Sequence, residues 1–364
     1  MRILLRAPVG STGGYQRDGL GIINALEARD HVVDLVPLSV WPPIPKNVAH
    51  LLTFPVATSG YDLEIHHVPP MSLEIGEPSR KRSKKTVLWS MWEWDNYSEE
   101  ELEYNSTQYY MPKYDHVVCY TQQTLDAFKS AGFIRDDQPT SVVQGGFEAK
   151  DWYPVTDASE RFQQVFPDRS KLRDNTFRFA MVGHLNMRKN PYEVLYAFNE
   201  LKEELGDDFD AELIIKSGYP VVPPQYDAPG VKAIMENQWT DAQMREFYWS
   251  IDCVVNCAWG EGKDLPLMEA TMCGVPIIAN DNPGHQGWIH PEITKMVPST
   301  TMKMDANHIG RYTGRDEIKK AMLDTYRNKI AKYREAQRLA GYISQRATWD
   351  ARIVKFGEAV GVPL

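Results

Sequence analysis

The chain has 364 residues, 43% hydrophobic and 24% charged, which are ordinary globular proportions with enough length for two cores. A formal net charge of −9 removes any global field that would draw nucleic acid or anionic lipid, and no apolar run approaches the ~18 residues of a membrane span. The four cysteines (119, 253, 257 and 273) fall mostly in expected buried elements and read as reduced thiols of a cytoplasmic protein. Cys253 and Cys257 lack a second pair to complete a metal site, and the opening MRILLRAPVG is too short for a signal peptide.

The first half alternates strand and helix signals. Strands are predicted over 3–5, 32–35, 62–66, 86–89 and 115–120, and helices over 18–29, 99–108 and 121–131. Residues 11–14 form a glycine loop after the first strand, and the unusual WSMWEWDNY follows the strand at 86–89. A polar, proline-bearing stretch over 145–175 reads as a linker. A second series begins with a strand over 177–182, then a helix over 191–205 and strands over 211–215 and 231–235. A helix over 241–250 follows, and the tail over 316–361 is helical. Such alternation predicts an α/β fold of two Rossmann-like domains facing a central cleft. Residues 1–155 form the first domain and 156–345 the second.

The most informative stretch is IDCVVNCAWGEGKDLPLMEATMCGVPIIAND, over 251–281. It reads as a buried strand, a loop in which Gly260 and Gly262 allow angles a strand does not use, a short helix capped by Asp264, and a returning strand. Glu261 and Glu269 stand eight positions apart across the loop–helix junction, where open α/β sheets bind ligands. Carboxylates there repel phosphate but accept hydrogen bonds from sugar and ribose hydroxyls, which describes a site for a polyhydroxylated nucleotide.

A second candidate lies in FRFAMVGHLNMRKNP, over 177–191. A buried strand ends at Gly183, and Arg188 and Lys189 stand just before a helix whose Asn190, Pro191 and Glu193 match N-cap, N1 and N3. A diphosphate fits between the helix N-terminus and the two cations; the alternative is a pair of solvated basic residues. Gly13 and Gly14 approach the same phosphates or form only a turn, because the spacing is not GxGxxG. His66 either lines the cleft or is satisfied by neighbouring backbone. Trp92 and Glu93 are candidates for acceptor binding, with core packing as the alternative. Asp208 and Asp210 form a D-x-D that precedes a strand and so sits at the edge away from the site. The basic run over 80–85 also precedes a strand, where a solvated loop competes with a nucleic-acid or lipid surface.

On these residues the chain resembles retaining glycosyltransferases of the GT-B fold, of the family 4 type. EGKDLPLMEATMCGVPIIAND is similar to that family's E-x7-E segment and GHLNMRKNP to its phosphate-binding loop. ATWDARIVKF resembles its terminal helix, which crosses back to the first domain over about 346–364. The resemblance implies a metal-independent enzyme with a nucleotide diphosphate sugar as donor substrate, no further cofactor and a hydroxyl acceptor. Arg188 and Lys189 would hold the diphosphate and Glu269 the ribose. Glu261 would hold the donor sugar, with backbone of Gly262, Lys263, Asp264 and Leu265, and residues 234–236, ending at Glu236, would lie along the base.

There are two departures. The chain has Lys263-Asp264 where the family often has Phe-Gly, and it has no histidine in the segment 89–93, which leaves Glu93 as the polar group there. Rival readings are a glycosyltransferase acting on protein or hydroxymethylated DNA, a non-catalytic nucleotide-sugar binder, and a nicotinamide oxidoreductase, whose fingerprint is missing.

Overall fold

Short apolar runs alternate with helices that bury one face, and the central strands are buried along their whole length. The computed structural model of the chain describes residues 1–10, 13–38, 45–70, 77–104, 107–154, 176–184, 186–218, 226, 228–236, 239–305 and 307–364. The first unit runs β1 (Arg2–Ala7), α1 (Gly14–Glu27), β2 (Val32–Pro37), β3 (Leu63–His67), β4 (Thr86–Ser90), α2 (Glu99–Tyr104), α3 (Thr107–Tyr110), β5 (His116–Cys119), α4 (Gln122–Ser130) and β6 (Thr140–Val142). Its six strands are parallel in the order β2-β1-β3-β4-β5-β6.

The second unit runs β7 (Phe177–Gly183), α5 (Pro191–Leu205), β8 (Ala211–Ser217), β9 (Val231–Met235), α6 (Asp241–Trp249), β10 (Cys253–Asn256), α7 (Leu265–Met272), β11 (Ile277–Ala279) and α8 (Pro283–Gln286). Its five strands are parallel in the order β11-β10-β7-β8-β9. An antiparallel hairpin, β12 (Thr300–Lys303) and β13 (Ile309–Tyr312), precedes three helices, α9 (Arg315–Arg327), α10 (Lys329–Arg346) and α11 (Trp349–Val360).

Helix α11 returns to the first unit. Trp349, Ile353, Phe356 and Val360 are buried among residues of β1, β3 and α1, and Trp89 stacks on Phe356 with ring centroids 4.4 Å apart. Gly21 of α1 allows the approach, since a Cβ there would stand 1.9 Å from Nε1 of Trp349. The parallel sheets and the crossing helix agree with the reading of the sequence. The expected boundary between 155 and 156 lies at residues 155–175, outside the described residues, as do Ser11 and Thr12 of the glycine loop.

Some elements differ from expectation for local reasons. Helix α1 starts at Gly14, not Asp18, because the side chain of Gln16 accepts from the amide of Gly13 at 3.1 Å and extends the first turn. Strand β3, weak in sequence, is internal and fully buried; its Glu64 and His66 pair with each other at 2.8 Å, and His67 meets the carbonyl of Trp89 at 3.0 Å. Strand β6 and the β12–β13 hairpin are additional. The hairpin docks on the first unit: the amide of Asp95 donates to the carbonyl of Ile309 at 3.0 Å, and Trp94 stacks on His308 with centroids 4.5 Å apart.

Candidate functional site

In parallel sheets every strand delivers its following loop to the same edge, so the carboxyl ends of β1, β4, β7 and β10 supply residues to one crevice. A cavity of about 330 Å³ lies there between the two units. Gly14, Arg17, Asp18, Met91 and Glu93 line it from the first unit, and Gly183, Arg188, Lys189, Glu236, Glu261 and Glu269 from the second. Gly262, Lys263, Asp264 and Leu265 complete the wall at the start of α7. Gly13 stands one residue back, as the N-cap of α1.

Glu261 is 4% exposed and is balanced within its own unit. Nζ of Lys189 donates to its Oε1, and Nη1 of Arg188 lies 3.6 Å from its Oε2. Arg188 also donates to the carbonyl of Gly260, and its Nη2 lies 3.8 Å from Oε1 of Glu93 across the cleft. Lys189 is only 8% exposed, so it is a buried cation and not a solvated one. The Arg188 guanidinium sits above its ordinary pKa: burial opposes its charge, but Glu261 and Glu93 outweigh it. Asn190 occupies the N-cap position of α5, yet its side chain donates to the carbonyls of Cys257 and Thr313 instead of capping. Its left-handed backbone, φ 53°, turns the chain so that Pro191 opens the helix.

Glu269 is balanced across the cleft. Its Oε2 accepts from the hydroxyl of Tyr248 at 2.8 Å, and its Oε1 takes Nη1 of Arg17, from α1, at 2.5 Å. Nη2 of Arg17 lies 3.2 Å from Asp241, at the first turn of α6. Burial raises the pKa of the Glu269 carboxyl above its usual value despite that guanidinium. Further along the cavity, Trp239 donates its indole N–H to Glu236 at 2.6 Å, and the ammonium of Lys216 lies 4.4 Å from the centre of the Trp239 ring.

The glycines of the loop serve close approach and not unusual angles. A Cβ at Gly260 would lie 2.0 Å from the carbonyl oxygen of Glu93, and one at Gly262 would lie 2.5 Å from Sδ of Met91. Neither has a positive φ; that falls to Asp264, at 67°. Asp264 holds the N-cap position of α7 but makes no cap hydrogen bond. Its Oδ2 accepts from Asn256 at 2.6 Å and meets Nε2 of His285 at 2.9 Å. Lys263, 4% exposed, turns its ammonium to Asp18 of α1 and to the carbonyl of Gly146, at 2.7 Å for the latter. Its backbone stays on the cavity while its side chain ties the loop to the first unit.

Two expected residues are elsewhere. His66 is 2% exposed, with Nε2 2.8 Å from Glu64 and Nδ1 2.5 Å from the hydroxyl of Tyr114. Trp92 is 8% exposed and stacks on Tyr97 at 4.5 Å with an interplanar angle of 5°, in the core of the first unit. The segment therefore divides, with Glu93 on the cleft and Trp92 behind it. The basic run divides: Arg82 pairs with buried Glu64 at 2.7 Å, while Lys84 and Arg80 remain at the exposed surface, paired with Asp62 and Asp115. Asp208 and Asp210 are exposed at the amino end of β8, away from the cavity. Among the described residues no cluster of three or more His, Cys, Asp or Glu is placed to hold a metal ion.

Sequence reasoning missed Arg17, Asp18, Lys216, Trp239, Tyr248 and His285. Arg17 and Asp18 carried a usable signal, since the first turn of the helix after β1 must face the crevice in a unit of this kind.

Residues 176–311 match the family model described as glycosyl transferases group 1. No curated protein sequence matches the chain. Among solved structures, HepE (Alr3699) from Anabaena in complex with UDP and glucose has a TM-score of 0.68 at 15% identity, covering 99% of each chain. Sucrose-phosphate synthase from Thermosynechococcus elongatus has a TM-score of 0.66 at 15% identity, covering 99% of this chain and 98% of the other. WaaG, a glycosyltransferase involved in lipopolysaccharide biosynthesis, has a TM-score of 0.63 at 12% identity, covering 100% and 99%. The fold is that of GT-B glycosyltransferases, with two Rossmann-like domains.

Proposed function

We propose that this chain is a retaining, metal-independent glycosyltransferase of the family 4 type. It moves a sugar from a UDP- or GDP-linked donor to a hydroxyl of a glycan or glycolipid precursor, in the cytoplasm. The observation that carries this reading is the meeting of Arg188, Lys189 and Glu261 in one cavity, with Glu269 eight residues on at the same wall. Two cations suit a diphosphate and two carboxylates suit hydroxyls, which are the groups a nucleotide sugar presents. The family match over this same segment, and the complexes of HepE with UDP and with UDP-glucose, support it.

Chemistry follows from charge. As the bond between the anomeric carbon and the diphosphate oxygen breaks, negative charge gathers on the leaving group, where Arg188 and Lys189 are already placed. The acceptor oxygen bonds the anomeric carbon from the same face, and its proton passes to the departing phosphate oxygen. Glu93, beside Arg188 at the mouth of the first unit, is positioned to accept a hydrogen bond from the acceptor hydroxyl. The protein's contribution is orientation and a preset field.

No helix among the described residues is long and apolar enough to cross a membrane. A thermal-shift screen across nucleoside diphosphate sugars tests the donor, and the anomeric configuration of the transferred sugar, read by NMR, tests retention. Stabilisation by a UDP- or GDP-sugar with release of the diphosphate is expected; binding without release would make the chain a sugar-nucleotide binder.

A further inference from the structure

His285 has no exposed surface, and each of its ring nitrogens meets an atom that accepts hydrogen bonds. Nδ1 lies 2.9 Å from the main-chain oxygen of Asn280, and Nε2 lies 2.9 Å from Oδ2 of Asp264. A carbonyl has no hydrogen to give, so Nδ1 carries one. Oδ2 of Asp264 accepts from Asn256 at 2.6 Å, and the charge of Lys189 nearby favours the ionised carboxylate, so Nε2 carries the other. A ring with both hydrogens is an imidazolium, here shut away from water.

The short helix that holds it supports the donor loop at several points. A Cβ at Gly284 would stand 2.2 Å from the carbonyl oxygen of Glu261, so the two backbones are in direct contact. The indole of Trp288 donates to the carbonyl of Lys263 at 2.8 Å, and Gln144 of the first unit donates to Gly284 at 2.8 Å. Asp264, the residue His285 grips, is at φ 67°, where a side chain is strained unless something holds it.

We infer that His285, as an imidazolium, is a positioning residue of the donor site: it holds Asp264 in the left-handed conformation and so sets where Glu261 and the first turn of α7 stand. This rests on the reading of the cavity as a nucleotide-sugar site. In the resembling family the position of Asp264 is often glycine, which needs no partner; here a carboxylate stands there and a cation answers it.

The charged groups facing His285 are Asp264 from the start of α7 and Glu261 from the preceding loop. Lys189 faces Asp264, and Arg188 reaches Glu261. Burial by itself would lower the pKa of the ring, but the hydrogen bond and charge of Asp264 outweigh it and raise the value above 6.5. Burial would likewise raise the Asp264 carboxyl; Lys189 and His285 hold it below 3.8.

Two measurements test the inference. Ring-nitrogen NMR of the full chain at neutral pH should show the imidazolium pattern for His285, assigned by its absence in His285→Gln; a neutral tautomer for this residue would overturn the proposal. Calorimetry with UDP should show affinity falling roughly 10- to 100-fold in His285→Gln, which takes from buried Asp264 the one cation bonded to it among the described residues and leaves only Lys189, itself bonded to Glu261, nearby. The double variant Asp264→Asn/His285→Gln, a neutral pair able to bond each other, should regain most of that loss. Losses that simply multiply would mean packing and not charge, and would also overturn it. If the unaltered protein bound no nucleoside diphosphate, the donor reading would have failed instead, with the charge state of His285 still decided by NMR.

Discussion

Glu261 and Glu269 are both buried carboxylates on the wall of one cavity, yet they are neutralised in opposite ways. Glu261 finds Lys189 and Arg188 within its own unit, on the loop that precedes α5. Glu269 finds its guanidinium on α1 of the other unit, with the hydroxyl of Tyr248 as its hydrogen-bond partner from its own side among the described residues. The charge at Glu261 is therefore settled whether the cleft is open or closed, while the charge at Glu269 depends on the two units meeting. A buried carboxylate without a cation is costly, so the ribose end of the proposed site is the end that senses closure.

The largest effect should come from the cations beside Glu261. Arg188→Ala or Lys189→Ala should lower turnover by about 100- to 1000-fold, because each removes a donor preset against charge on the leaving group. Lys189→Ala should in addition cost about 3 kcal/mol of stability, since it strips a partner from a buried carboxylate. Activity assays and denaturant titration check both; turnover like that of the unaltered chain in either variant would remove the diphosphate from this loop.

Exchanging each glutamate for glutamine should sharpen the contrast. Glu269→Gln should weaken binding of free UDP by roughly tenfold, as expected for a charge-assisted bond to a ribose hydroxyl. Glu261→Gln should bind free UDP at least as well as the parent, because Arg188 and Lys189 are released to the diphosphate, and should lose turnover of the intact sugar donor. Calorimetry with UDP alone separates the two, and equal losses would mean that the pose is wrong.

Arg17→Ala carries the comparison across the cleft. It should weaken UDP binding several-fold by letting the Glu269 pKa, already raised by burial, rise further. It should also loosen the closed arrangement, which small-angle scattering would show as a larger radius of gyration. In the double variant with Glu269→Gln the two losses should not add, because both act through one contact.

How much of this was legible in the sequence depends on what carries each contact. Strand polarity placed the loops at 183–191 and 257–265 at the cleft, because a parallel sheet leaves no freedom in where its following loops go. The same argument brought the backbone at 92–93 to the cleft edge but could not say which way a side chain turns. Trp92 turned back to stack on Tyr97, and His66 went to Glu64. Contacts between distant residues had no local signal: Lys263 and Asp18 are 245 positions apart, Arg17 and Glu269 are 252 apart. The departure at Lys263-Asp264 was visible as an oddity. Its meaning, one ion pair to the first unit and one to His285, needed the fold.

The pH response should be smaller. His285 has its folded pKa raised, so its contribution to stability is full below its unfolded value and is lost as pH rises through the folded one. Asp264 is depressed, so its contribution is lost only as pH falls through the acid range. The melting temperature should thus fall modestly on the alkaline side, and Asp264→Asn should remove that limb, since a neutral histidine can then accept from the amide. An identical alkaline limb in Asp264→Asn would assign it to other groups.

The smallest expected effect is that of a strong chelator, which should leave turnover unchanged. A divalent ion in a sugar transferase meets charge on the diphosphate, and here Arg188 and Lys189 line the cavity for that task, with Arg17 and Lys216 close by. The acidic pair with the D-x-D look, Asp208 and Asp210, precedes β8 and so stands at the sheet edge opposite the cavity. An ion bound there could not reach the leaving group without crossing the length of the sheet. Glu261, the carboxylate nearest the cations, already has both of its oxygens engaged by them. Turnover is the measurement, after dialysis against chelator and again after adding magnesium or manganese. Loss followed by recovery would mean that the cations beside Glu261 remain paired with it during the reaction and do not turn to the diphosphate, which would undo the difference drawn between the two glutamates.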